Sequence, residues 1–217
     1  MEIKIPYTPR RHQSYLHQQI DKHRWSVLVC HRRFGKTVCM INHLIKSALT
    51  CKEKNPRFAY LAPTFKQAKS IAWDYMKQFT DKIPNTKFNE TELRVDLPNG
   101  ARITLLGSDS PDGLRGIYLD GCVIDEYANV NSRLFPEVIR PALSDRKGYC
   151  VFIGTPAGMN NNFYELYQHA NGADDWFNYK AKASDTKIVD EDELVKAKEV
   201  MGEKKYNQEF ECDWIAN

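Results

Sequence analysis

Long apolar runs are missing from this sequence. None approaches the ~18 residues that a membrane-spanning helix needs, and no N-terminal stretch reads as a secretory leader. The six cysteines are scattered, with no Cys-x-x-Cys pair. That removes the usual zinc and redox signatures and points to free thiols in a reducing compartment. Charge of one sign is scarce too: a net charge of +3 is only mildly basic, so any nucleic-acid surface has to be local. There is no internal repeat and no low-complexity tract. What the chain does have is 42% hydrophobic and 12% aromatic residues over 217 positions. That suffices for one α/β domain with a sizeable core, and it excludes wholesale disorder.

Apolar runs short enough to be strands recur at Ser26 to His31, Arg57 to Ala62, Gly121 to Tyr127 and Tyr149 to Thr155. Each is apolar nearly throughout, as a parallel strand covered on both faces should be. Helical periodicity fills the intervals at Lys36 to Leu49, Phe65 to Thr80 and Arg133 to Ser144. The rhythm predicts a doubly wound, mainly parallel sheet. Leu93 to Leu105 alternates around Asn99-Gly100, which predicts an antiparallel hairpin insert. After about Asn160 the character changes. Phe163 to Ala170 reads as a helix and Trp176 to Ala183 as a strand, and Asp190 with Glu193 reads as a capping box opening a polar helix to Met201. We expect a core over residues 1–160 and a small lid subdomain over 161–217, with a solvated helical tail as the alternative.

Val27 to Thr37 is an apolar strand feeding a basic loop that ends in Gly35-Lys36-Thr37 and opens a helix. Strand, loop and helix in that order make a P-loop: backbone amides wrap phosphates, the Lys neutralises the outer oxygens and the hydroxyl ligates Mg²⁺. The usual leading Gly is replaced by Cys30, and an ordinary basic strand-to-helix turn would fit this string alone. Gly121 to Tyr127 strengthens the nucleotide reading. It is an apolar strand ending in Asp125-Glu126, as expected of the strand beside the P-loop strand, with the Asp on the Mg²⁺ shell and the Glu polarising water.

Five segments in order carry a resemblance: Cys30 to Thr37, Ala62-Pro63-Thr64, Ser110 to Gly116, Ile124 to Tyr127 and Gly154 to Gly158. Together they resemble the ATPase domain of the large terminase subunit of tailed bacteriophages, over essentially the whole chain. The resemblance implies an additional-strand, RecA-like P-loop NTPase fold and a motor that drives double-stranded DNA into a capsid. Its cofactors would be ATP and Mg²⁺, and the Mg²⁺ would sit on Thr37 and Asp125. That family often lacks the leading Gly, which accounts for Cys30.

The resemblance also implies roles for single residues. Gln13, in Tyr7 to Gln13, would read adenine, with Arg10 and Tyr7 beside the base; a carboxamide can both donate to and accept from the adenine edge. Arg32 would respond to the γ-phosphate, with Arg33 a second phosphate ligand. Lys36 and Gly35 would hold phosphates, and Glu126 would be the catalytic base. Arg115 would be an arginine finger supplied to a neighbouring subunit, while Gly154 and Thr155 would couple hydrolysis to movement. For each, an ordinary surface or turn residue is the alternative.

Implied partners are double-stranded DNA without sequence preference, the phage portal protein, the small terminase subunit and further copies in a homo-oligomeric ring, a pentamer on the capsid. The implied location is the bacterial host cytoplasm, transiently at the procapsid portal, with no membrane. Lys66, Lys69, Arg94 and Arg102 are candidates for phosphate contact, or solvated faces. The chain leaves no room for a nuclease domain of ~150 residues, so no nuclease activity is expected. A helicase-like or recombinase-like single-core translocase and a non-catalytic nucleotide-binding module are the other readings. Glu126 argues against the last, because a second carboxylate repels phosphate unless it handles water.

Overall fold

The computed structural model describes residues 2–109 and 111–215; Met1, Ser110, Ala216 and Asn217 lie outside them. In chain order the elements are α1 (Arg11–Lys22), β1 (Trp25–Cys30), α2 (Lys36–Thr50), β2 (Arg57–Ala62) and α3 (Phe65–Ala68). A π-helical stretch, Lys69–Trp73, runs on into α4 (Asp74–Thr80), so the expected helix over 65–80 is continuous but widened in its middle. Then come β3 (Lys87–Asn89), β4 (Arg94–Asp96), β5 (Arg102–Gly107) and β6 (Gly121–Asp125). A second π stretch, Phe135–Ile139, leads into α5 (Arg140–Ala142). The chain closes with β7 (Tyr149–Gly154), α6 (Asn162–Ala170), β8 (Trp176–Ala181), α7 (Ala183–Thr186), α8 (Glu191–Met201) and α9 (Glu203–Phe210).

One sheet holds all eight strands in the order β3-β4-β5-β2-β6-β7-β1-β8. From β5 to β8 every pairing is parallel, and β3, β4 and β5 pair antiparallel. The expected hairpin is therefore present, but β5 also belongs to the parallel sheet, and β3 extends the insert by a strand. The sheet is covered on both faces, as its apolar strands require. Leu28 and Cys30, Tyr60, Val123 and Ile153 look toward α1, α2 and α4; Val27 and Val29, Leu61, Ile124 and Phe152 look toward α6 and the Phe135–Ile139 stretch.

Three expectations need correction. The acidic strand is not beside the P-loop strand, because β7 lies between β6 and β1; this inserted strand is what the additional-strand arrangement denotes. The division at residue 160 does not follow the sheet either. β8 pairs along its whole length with β1, and Phe163 and Trp214 are buried in the core. Among the described residues, Ala183, Tyr206 and Phe210, with Leu194, Ala197 and Met201 against them, form a separate small cluster. Finally, Asp190 precedes α8 but its side chain makes no capping bond, so the expected box with Glu193 is not closed.

The parallel strands β1, β2, β5, β6 and β7 end along one edge, where open α/β sheets place their ligands. Gly107 keeps that edge tight: a Cβ there would sit 2.1 Å from the Phe65 amide nitrogen and 2.6 Å from the Thr64 carbonyl carbon.

Candidate active site

Gly35 is the N-cap of α2 and adopts the left-handed conformation, φ 89°. A side chain there would be strained, and its Cβ would meet Gln13 Nε2 at 3.0 Å. No side chain caps α2 and no acidic residue sits in its first turn. The amides at that end are thus left for an anion, and the helix dipole favours one. Arg33, at φ 68°, supplies a second left-handed turn in the loop. Cys30, where the usual motif has Gly, is fully buried; burial pushes its thiol well up, and it acts as core packing.

The loop is held from two sides. On one, the Gln13 carboxamide donates to the Gly35 carbonyl at 3.0 Å and accepts from the Arg10 amide at 2.8 Å, while Arg10 donates to the Phe34 carbonyl at 3.3 Å. Gln13 therefore lies buried against the loop, with one of its two amide N–H groups used on the Gly35 carbonyl. Tyr7 sits further off, edge-on to His17 and Phe79, its hydroxyl on His17 Nε2 at 2.8 Å. On the other side, the C-terminal segment grips the loop. The Arg32 amide donates to the Glu209 carbonyl at 2.8 Å, and His31 Nε2 pairs with Thr186 Oγ1 at 2.7 Å. Burial lowers the His31 pKa, which suits a neutral ring bonded at both nitrogens. Among the described residues, the exposed side chains of Arg32 and Arg33 form no ion pair, so both are available to a phosphate.

Lys36 Nζ lies 3.6 Å from Glu126 Oε1. Burial works against its charge, but Asp125 and Glu126 outweigh it and hold the ammonium above the usual lysine value. Asp125 ends β6 and is 1% exposed. Its Oδ1 accepts the Glu126 amide at 2.8 Å, and its Oδ2 accepts the Tyr60 hydroxyl. Burial, then the Asp125 carboxylate, raises the Tyr60 phenol well above its ordinary value and keeps it a donor. Glu126 takes a left-handed conformation, φ 51°, as the strand gives way to the turn Tyr127–Asn129. For a non-Gly residue that conformation is strained. It turns the Glu126 side chain off the strand's alternation, so adjacent carboxylates can serve different targets.

Gly154 ends β7 against this turn; a Cβ there would lie 3.4 Å from the Tyr127 nitrogen and 3.6 Å from Glu126 Cα. A methyl group would fit at ordinary contact, so the resting backbone does not itself demand glycine. Thr155 follows, half-buried. Arg115 stands apart, on the surface. It bonds Asp112 at 3.1 Å and lies 3.6 Å from Glu137, in a network completed by Arg133. Among the phosphate-contact candidates, Arg94 and Arg102 both pair with Asp96. Lys66 and Lys69 are exposed and, among the described residues, unpaired.

Thr37 and Asp125 suit a hard cation that keeps most of its waters. Asp125 is held by the Tyr60 hydroxyl, and no group of three or more His, Cys, Asp or Glu side chains among the described residues could hold a metal by itself. Tyr60, His31, Thr186 and Glu209 were not predicted to take part. Tyr60 reads as one more apolar strand residue, and the other three make contacts that only the fold creates.

The family described as "Terminase large subunit, T4likevirus-type, N-terminal" matches residues 29–217. The large terminase subunit of Thermus phage G20c is 30% identical over 126 residues, covering 49% of this chain and 26% of that protein; that of Thermus virus P23-45 matches to the same extent. The match thus spans about a quarter of those relatives' length. Among solved structures, the large terminase ATPase domain of Thermus phage P74-26 superposes with a TM-score of 0.81 at 20% identity, over 97% of this chain and 96% of that one. The large terminase of a thermophilic bacteriophage in complex with ADP gives 0.82 at 15% identity, over 94% of this chain and 53% of that one. At such identities the likeness is one of fold.

Proposed function

This chain belongs to the family of terminase large subunit N-terminal domains, and from that membership we propose that it is the Mg²⁺-dependent, ATP-hydrolysing domain of a phage DNA-packaging motor. The observation that carries the reading is the convergence of Lys36, Asp125 and Glu126 beside the uncapped, glycine-led start of α2. In the proposed cycle the triphosphate occupies the amides of Gly35 to Thr37, and Lys36 exchanges Glu126 for phosphate oxygens. That exchange releases the Glu126 carboxylate to orient and deprotonate water. Thr37 and Asp125 would hold the Mg²⁺, which would supply charge neutralisation at the phosphates when bound. Gln13 and Arg10 lie on the base side of the loop, and Arg32 and Arg33 are free to follow the outermost phosphate.

Arg115 is the proposed finger toward a neighbouring copy in a ring of five, and Gly154, packed on the Glu126 turn, with Thr155 is the proposed link from hydrolysis to movement. DNA would be held without sequence preference through phosphates. Lys66 and Lys69 are the better candidates, since Arg94 and Arg102 are already engaged by Asp96. Portal and small terminase subunit are proposed partners, at the procapsid portal of an infected cell.

The test is ADP binding and ATP turnover in two variants. Glu126→Ala should keep nucleotide binding and lose turnover by roughly 10²- to 10⁴-fold; Lys36→Ala should lose both. Full turnover in Glu126→Ala would overturn the assignment.

A further inference from the structure

We propose that Tyr60 is a positioning residue for the metal shell of this site: its buried hydroxyl fixes the Asp125 carboxylate. The proposal rests on the reading of the site as a Mg²⁺-nucleotide site, and it adds a residue that the P-loop and Asp-Glu motifs do not contain.

The placement follows from strand register. Tyr60 pairs with Val123 across β2 and β6, so its side chain shares a face with Val123 and, two residues on, with Asp125. That is the face on which α2 lies. The side chain of Tyr60 is 0% exposed and its neighbours Phe58, Ala59 and Leu61 are apolar, so the phenol hydroxyl is the one polar side-chain atom that this stretch of β2 brings to the site. A buried hydroxyl must find an acceptor, and it donates to Asp125 Oδ2.

The other oxygen, Oδ1, takes the Glu126 amide. Two donors from two elements therefore fix the plane of the carboxylate. A carboxylate has about four acceptor positions, so two remain for water around a cation. Mg²⁺ tolerates little departure from octahedral geometry, and a freely turning Asp125 would meet that demand only part of the time. Partners that orient a metal-holding group are typically worth 10- to 100-fold in metal affinity.

The experiment compares wild type with Tyr60→Phe, reading ADP affinity without metal and with Mg²⁺, and Mn²⁺ binding to the ADP complex by electron paramagnetic resonance. Expected are unchanged metal-free ADP affinity, metal affinity about 10- to 100-fold weaker, and turnover recovered at high Mg²⁺. In an Asp125→Asn background the same change should have no further effect on metal affinity, because Tyr60 acts through Asp125. Metal affinity within twofold of wild type, or failure of Tyr60→Phe to fold, would overturn the proposal; the latter would assign the hydroxyl to stability. If wild-type ADP affinity is itself indifferent to both metals, the reading of the site fails, not merely the role of Tyr60.

Discussion

Two groups of basic and acidic side chains stand in this chain under opposite conditions. At the strand edge, Lys36 and Asp125 are buried or nearly so, and each is held by partners from other elements: Glu126 on the lysine, Tyr60 on the aspartate. On the surface, Arg115, Asp112, Arg133 and Glu137 pair with one another at 39–69% side-chain exposure. Buried charges interact strongly and are fixed in place before a ligand arrives, whereas exposed pairs are screened and exchange readily with water. The first group is preorganised within one chain. The second holds Arg115 through exposed ion pairs to Asp112 and Glu137 that solvent screens, from which the proposed role in a neighbouring copy would have to release it.

The largest effect should come from breaking that division of labour. Arg115→Ala is expected to lower turnover by ~10³-fold or more where copies assemble, with Tm and ADP binding unchanged. An equimolar mixture of Arg115→Ala and Glu126→Ala, each inactive alone, should regain activity, since one copy supplies the intact base and its neighbour the intact arginine. A mixture that stays inactive at concentrations where wild type turns over would refute action in trans and leave Arg115 required within its own subunit.

Buried and exposed groups should also differ in their response to acid. His17 and His43 stack with Nδ1 atoms 2.9 Å apart. Around them stand Tyr7 and Cys39 on the His17 side, Asp21 and Lys46 on the His43 side, and the Tyr149 ring. Burial lowers both pKa values to about 4; His43 and Lys46 push His17 the same way. An unfolded chain takes up these protons near 6.5 and the folded chain resists until about 4, so the unfolded state binds more protons in that window. Stability is therefore full above 6.5 and falls as pH drops toward 4, by roughly 3 kcal/mol for each histidine. Thermal melts of wild type and His43→Gln from pH 7.5 to 4.5 isolate this part. Parallel curves for the two proteins would refute it.

Much of this was legible in the sequence because local order and composition carry it. The four central strands, the α2 helix, the hairpin at Asn99-Gly100 and the Gly35-Lys36-Thr37 and Asp125-Glu126 pairs announce themselves through apolar runs, turn residues and adjacent charges. What was not legible depends on strand order. Nothing in Tyr149 to Gly154 says that it inserts between β1 and β6, and nothing in Trp176 to Ala181 says that it pairs with β1 instead of joining a lid. The role of Tyr60 requires the β2–β6 register, which only the folded sheet sets. β3 is three residues long, too short to show alternation. Asp190 and Glu193 have the spacing of a capping box, yet the exposed α8 start gains little from one that water does not also provide.

The smallest expected effect sharpens the comparison most finely. Asp112 is the carboxylate shared by Arg115 and Arg133, and the Arg115 hydrogen bond, then the Arg133 charge, holds its pKa below the usual range. Asp112→Asn keeps the shape and removes the charge. Because the network is exposed, Tm should not move measurably. Arg115 would keep a neutral hydrogen bond to the amide oxygen and the Glu137 carboxylate at 3.6 Å but lose the charge of Asp112, so it would be freer to leave its own subunit. Turnover of assembled copies should rise slightly or hold, while Arg115→Ala abolishes it. A marked loss of turnover in Asp112→Asn, with Tm constant, would mean that Asp112 aims Arg115 and is not merely its resting partner. The surface group would then be as preorganised as the buried one.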